Sequence, residues 1–184
     1  SKVCRTLPPL ASNSAAACFG HSSLCSAMVF LKNGRGEDIA VIDRGRRITY
    51  DELREALRAS RDRFYAAGIR AHDHVALFSH NRAELLIAYL AVNSLGAVAV
   101  PLNYQLSVRE AAYIIKDAGV RHLVTEKELP LESHLGQQGY GGELHQPPLL
   151  DVMKPASAMP APKLSNIFSE ENPCVIIYPS GTTG

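Results

Sequence analysis

The chain has 184 residues, 46% hydrophobic and 20% charged, a composition that builds a sizeable core and excludes wholesale disorder. Its 19 basic and 18 acidic side chains leave a formal net charge of +1, which removes any composition-level case for nucleic-acid binding or for electrostatic docking on an acidic membrane. No apolar run approaches the roughly 18 residues needed to span a bilayer, and Ala27 to Leu31 is too short even for a signal-peptide core.

Residues 1–36 read as an N-terminal extension. They contain no Asp or Glu but carry Lys2, Arg5, Lys32 and Arg35 among serines and alanines. That composition has a transit-peptide flavour, but Pro8-Pro9 and only two arginines argue against an amphipathic targeting helix. The expected compartment is the cytoplasm, with the mitochondrion as alternative. Cys4, Cys18, Cys25 and Cys174 form no CxxC pair, so four unlinked thiols are expected rather than a disulfide framework or a zinc site. Cys174 precedes an apolar run and reads as a small buried hydrophobe.

From Asp38 onward short apolar runs alternate with helical patterns. Ile39 to Ile42 reads as a buried strand, Gly45 as a turn, and Arg46 to Tyr50 as a second short strand. A helix is expected from Tyr50 to Ala67, with Leu53, Leu57 and Phe64 on one face, Thr49 and Glu52 as its capping box and Gly68 at its end. Val75 to Phe78 is the next strand, and Asn81 with Glu84 is expected to cap a helix running to Leu95 before Gly96. Ala97 to Pro101 follows as a strand, with Pro101 closing it at a sheet edge. Ser107 and Glu110 cap a helix through Tyr113, Ile114 and Ile115 that ends at Gly119, and Arg121 to Thr125 is a strand. Strands alternating with glycine-stopped helices indicate βαβ units and a mostly parallel sheet, an α/β fold.

Residues 130–173 hold seven of the eleven prolines and read as an irregular excursion carrying a short strand at Leu149 to Met153. Order resumes at residues 174–184, where the strand Val175 to Tyr178 runs into Pro179-Ser180-Gly181-Thr182-Thr183-Gly184. Backbone amides, three hydroxyls and two glycines at a strand end are the ingredients of a polyphosphate cradle, although such a tail also suits a plain turn. It is not a Walker A loop, which requires G-x-x-x-x-G-K-[ST].

The order of segments resembles the adenylate-forming superfamily: acyl- and aryl-CoA synthetases, firefly-luciferase-like enzymes and peptide-synthetase adenylation domains. Ile48-Thr49-Tyr50-Asp51-Glu52-Leu53 is similar to its L-T-Y-x-E-L element, and Leu90 to Asn103 to its K-A-G-A-x-x-x-P-L-N element. Tyr178 to Gly184 matches the start of its phosphate-binding signature Y-T-S-G-[ST]-T-G-x-P-K-G. Pro179 replaces the usual threonine, removing a hydroxyl and an N–H.

The resemblance implies that residues 37–184 are the incomplete N-terminal part of that family's large AMP-binding domain. It implies a fragment of an AMP-forming acyl-CoA ligase, which joins a carboxylic acid to ATP as an acyl-adenylate and passes the acyl group to coenzyme A. Ser180, Gly181, Thr182, Thr183 and Gly184 would hold the β- and γ-phosphates, with Mg2+ neutralising them. No catalytic residue can be named outside that loop, no metal ligand is assigned, and the chain alone is expected to be inactive without the C-terminal part of the enzyme as partner. The alternatives are a peptide-synthetase adenylation domain, a non-catalytic half-domain acting as an interaction module, and an unrelated nucleotide-binding α/β domain. Other residues read as bland: His72 and His74 as exposed on one strand face, Glu84 as a helix cap, Asp117, Glu126 and Glu128 as solvated, Tyr89 and Tyr113 as core aromatics.

Overall fold

Thr49 opens the first long helix as the capping pattern predicts. In the computed structural model, which describes residues 17–20, 31, 33–154 and 173–178, the Glu52 amide donates to Thr49 Oγ1 at 3.3 Å and the Thr49 amide donates to Glu52 Oε2 at 2.8 Å. Helix α1 (Tyr50–Ala66) buries Leu53, Leu57 and Phe64 on one face. Helix α3 (Val108–Asp117) begins with the reciprocal Ser107–Glu110 box, and α2 (Ala83–Ser94) lies between them in sequence. All three end alike. At the end of α2 the Gly96 amide donates to the Asn93 carbonyl and the Ala97 amide to the Val92 carbonyl, with Gly96 at φ +71°, a left-handed stop that glycine adopts without a Cβ penalty.

The start of α2 departs from the capping pattern. Its N-cap is Arg82 in extended backbone, with no side-chain cap of its own. Asp43 Oδ2 instead accepts from the Ala83 amide at 3.1 Å, from forty residues upstream. Neither Asn81 nor Glu84 caps the helix; Glu84 turns inward and is ion-paired.

The main sheet has the order β1-β7-β5-β4-β6. Strands β4 (His74–Phe78), β5 (Val98–Leu102), β6 (His122–Thr125) and β7 (Pro173–Ile177) run parallel, and β1 (Ala17–Gly20) adds antiparallel to β7. Val75, Leu77 and Ala99 face α1 and α2 in one core, while Ala76, Phe78, Val98 and Val100 face α3 in the other. Burial on both faces explains why these strands read as unbroken apolar runs.

Three expectations need correction. Strands β2 (Ile39–Asp43) and β3 (Arg46–Thr49) form a separate hairpin turned by Arg44 and Gly45, both at positive φ, and Ile42 is 65% exposed rather than buried. Pro101 is not at an edge, since β5 lies between β4 and β7; the β5–β7 register is confined to Ala99 opposite Val175, so the missing N–H falls past that pair. Leu149–Met153 is a 3-10 helix, not a strand. Leu149 and Val152 are buried in the α1–α2 core, and Ser60 Oγ donates to the Val152 carbonyl at 2.8 Å. The excursion also carries a short helix α4 (Glu132–Gln137).

Candidate functional site at the carboxyl edge of the sheet

Four parallel strands bring four carboxyl ends to one edge. The chain leaves β4 for α2 on one face and leaves β5 for α3 on the other, so the connections diverge between these neighbouring strands. In open α/β sheets that divergence makes the crevice where ligands bind. Rings gather here: His80 and Tyr104 have centroids 3.5 Å apart with their planes tilted by 37°, and Phe78 stacks on Tyr104 at 5.0 Å.

A carboxylate from β6 locks this edge. Glu126 Oε1 accepts from Ser79 Oγ at 2.5 Å and from the His80 amide at 2.9 Å, and Oε2 lies 3.4 Å from His80 Nδ1. Arg82 approaches Glu126 at 3.6 Å and donates to Glu84 at 2.9 Å, and Glu84 also accepts from Arg46 at 2.8 Å. Burial resists ionisation of Glu126, but the bonds from Ser79 and His80 prevail and hold its carboxyl below the ordinary value. Glu126 is therefore a structural anion rather than a solvated charge. Ser79 donates to that carboxylate and not to an imidazole, so it lacks the activation a nucleophilic serine needs.

The strand that leads into the predicted phosphate loop, β7, sits two strands from β4 in the same sheet. Ile176 of β7 is buried in the α3 core, and Tyr178, one residue past the strand, donates from its hydroxyl to Asp117 Oδ2 at 2.6 Å. Asp117 is thus a tether for the strand end. Ser180, Gly181, Thr182, Thr183 and Gly184 lie outside the described residues. Cys174 is buried, 1% exposed, and burial pushes its thiol up, as suits a packing residue.

The remaining candidates part company. His72 lies in a turn at φ +68°, before the strand, and His74 sits within 2.6 Å of the Ala118 carbonyl through Nδ1, so the two share no strand face. Tyr89 is packed against the core, but Tyr113 is 50% exposed and is no core aromatic. Glu128 is exposed as expected. No group of three potential metal-ligating side chains occurs among the described residues, and no helix among them is long and apolar enough to cross a membrane. The sequence reading missed Ser79, His80, Arg82 and Tyr104. Their signal was position: Ser79 and His80 follow directly on the apolar run of β4, Arg82 lies between that strand and α2, and Tyr104 lies just past β5.

Comparison with known proteins agrees with this layout. The family model described as AMP-binding enzyme matches residues 31–184. The chain is 34% identical over 167 residues to the 3-hydroxybenzoate/4-hydroxybenzoate–CoA ligase of Thauera aromatica, covering 84% of this chain and 31% of that protein. It is 30% identical over 146 residues to the 2-succinylbenzoate–CoA ligase of Bacillus licheniformis, covering 79% and 29%. The o-succinylbenzoate CoA synthetase of Bacillus subtilis, solved with its acyl-adenylate intermediate, superposes with a TM-score of 0.66 at 25% identity over 85% of this chain and 39% of that one. The chain thus spans about a third of the length of the curated relatives it matches.

Proposed function

The chain belongs to the family of AMP-binding enzymes, and from that premise we propose that it supplies the phosphate-gripping part of an AMP-forming acid–thiol ligase. The observation that carries the proposal is the strand β7, with Tyr178 tethered to Asp117, leading straight into Ser180-Gly181-Thr182-Thr183-Gly184. A strand end held in a packed sheet is a rigid mount for a loop of amides and hydroxyls, and such donors act best when they need no reorganisation.

The reaction proposed has two steps. The carboxylate attacks the α-phosphorus of ATP, forming the acyl-adenylate as pyrophosphate departs. The thiol of coenzyme A then attacks the acyl carbonyl, and AMP departs as the thioester forms. Loop amides and the Ser180, Thr182 and Thr183 hydroxyls hold the β- and γ-phosphates while charge moves onto pyrophosphate. Mg2+ enters as the counter-ion of ATP, which one solved relative from Bacillus subtilis holds together with magnesium. The relatives named above are ligases of aromatic acids, which favours coenzyme A as acceptor over a peptide-synthetase carrier and an aryl acid as substrate. A cytoplasmic setting accords with the same reading. The 184 residues alone are proposed to bind ATP weakly and to require further polypeptide for turnover.

The test is acid-dependent ATP–pyrophosphate exchange on the native protein from its source, whose intact mass is measured alongside. Exchange is expected with a hydroxybenzoate or succinylbenzoate, followed by thioester formation with coenzyme A. A native species of 20.0 kDa that binds partners but exchanges with no acid overturns the ligase reading in favour of a non-catalytic module.

A further inference from the structure

The free edge of β6 is not bare. A strap at residues 143–148 runs along it: the His145 amide donates to the Arg121 carbonyl at 2.9 Å, the Leu123 amide to the His145 carbonyl at 2.8 Å, and the Thr125 amide to the Pro147 carbonyl at 3.4 Å. The strap also closes one wall of a 310 Å³ cavity, through Glu143, Leu144 and Gln146, against Leu131 and Leu135 near α4.

Two imidazoles mark the seam. His122 of β6 is 5% exposed and stacks on the exposed ring of His145, with centroids 5.3 Å apart and planes 28° apart. His122 Nδ1 is buried with no hydrogen-bond partner, and Cε1 lies against Gly68, where an added Cβ would stand 3.7 Å away. A second ring proton would therefore place an unpaired donor and a full charge in a dry site. The groups facing His122 do not relieve this. Asp73 favours protonation, while His145, Arg121 and Arg70 oppose it, and Asp73 is already engaged by Arg121 at 3.2 Å and by the Arg70 amide at 2.7 Å.

We propose that the stacked His122–His145 pair is an acid-release latch, holding the strap 143–148 on the edge of β6 while neutral and letting it go when protonated. Burial and the neighbouring cations hold the His122 ring below its ordinary value in the closed state. The open state, with His122 in water, takes its proton near pH 6.5. Opening is then linked to proton uptake, and each pH unit below about 6.5 raises the opening constant about tenfold until the closed state also protonates.

Amide hydrogen exchange on the native protein tests this, read as protection factors so that the intrinsic pH dependence cancels. Protection at Leu123, Thr125 and His145 is expected to fall about fivefold between about pH 6.5 and 5.5, while Ala76 of β4 and Val100 of β5 keep theirs. His122→Asn should flatten the fall. His145→Gln, at an exposed position that leaves the fold intact, should make it shallower by removing one neighbouring charge. The latch is overturned if the strap amides show no acid dependence, if β4 and β5 lose protection in parallel, or if His145→Gln leaves the profile unchanged.

Discussion

Arg46 and Glu84 meet at 2.8 Å across 38 residues of sequence, joining the β2–β3 hairpin to the first turn of α2. Glu84 is 5% exposed and shares its second oxygen with Arg82, while Arg46 also reaches Asp43 at 3.4 Å. The hairpin lies outside the main sheet, so this cluster is a principal polar tie between the two. Removing one member leaves a buried carboxylate short of a donor, which costs more than the pair itself contributes. Arg46→Ala is expected to destabilise the chain by about 1–3 kcal/mol, less than a fully buried broken pair because Arg82 remains and Arg46 is itself partly exposed. The urea midpoint measures it, with Arg44→Ala, an exposed arginine of the same hairpin, as the near-neutral control.

The same cluster sets an acid limit. Burial raises the cost of the Glu84 carboxylate, but the hydrogen bonds from Arg46 and Arg82 outweigh it, so its folded value lies below the ordinary one. Glu126 is shifted the same way. A carboxyl depressed on folding stabilises the native state above its unfolded value of about 4.3, and that stabilisation is lost as pH falls through the folded value. Urea unfolding between about pH 7 and 3 should therefore show stability dropping from about pH 4.3 downward. Glu84→Gln should be less stable at neutral pH and lose less on acidification; an identical slope in wild type and variant would exclude Glu84 as a source.

Helix α2 takes its cap from a distant carboxylate, and the consequence is specific. Asp43→Ala removes the acceptor for the Ala83 amide and should cost about 1 kcal/mol, the usual value of an N-cap. Asn81→Ala should change the urea midpoint little. Were the local pattern at Asn81 the real cap, the order of these two effects would be reversed.

That contrast shows where the sequence is readable. Caps made within four residues, Thr49–Glu52 and Ser107–Glu110, are visible because both partners lie in one window, and so are the glycine stops and the doubly buried strands. The cap on α2 is invisible because its acceptor is forty positions away on a hairpin whose docking no local pattern encodes. Pro101 misleads for a related reason: proline signals an edge, and only the strand order shows that β5 is interior. Leu149 to Met153 has a strand's composition, but Leu149 and Val152 must reach one core together, and a tight helical turn places residues three apart on one side. At the candidate site the sequence offers the Ser180–Gly184 motif, which lies outside the described residues, whereas the Ser79–Glu126 bond joins the ends of β4 and β6 and needs the sheet to be seen.

The 3-10 helix anchors the proline-rich excursion to the body. Leu149 and Val152 are fully buried against α1 and α2, Ser60 holds the Val152 carbonyl, and Arg63 donates to the Asp151 carbonyl at 2.5 Å. Leu149→Ala should cost about 2–5 kcal/mol through lost burial and the cavity left behind. Leu150→Ala, at a 46% exposed neighbour, should cost far less. Thermal unfolding of both variants decides whether the segment is docked as described.

Tyr178 and Thr183 sit five residues apart and separate the mounting of the proposed phosphate loop from its proposed chemistry. Tyr178 donates a hydrogen bond to Asp117, so Tyr178→Phe weakens the proposed mount while leaving every proposed phosphate donor in place. Thr183→Ala removes a hydroxyl proposed to contact the departing pyrophosphate, whose charge grows in the transition state. In the native protein, Thr183→Ala should lower kcat/KM for the proposed acid-dependent pyrophosphate exchange by about a hundredfold, as expected for a lost transition-state donor. Tyr178→Phe should lower it by less than about tenfold and act mainly on KM for ATP, because a looser mount weakens ground and transition states alike. Exchange unaffected by Thr183→Ala would take this hydroxyl out of the phosphate site, and a kcat loss in Tyr178→Phe equal to that in Thr183→Ala would mean that placement of the strand end, rather than the hydroxyl, limits the chemistry.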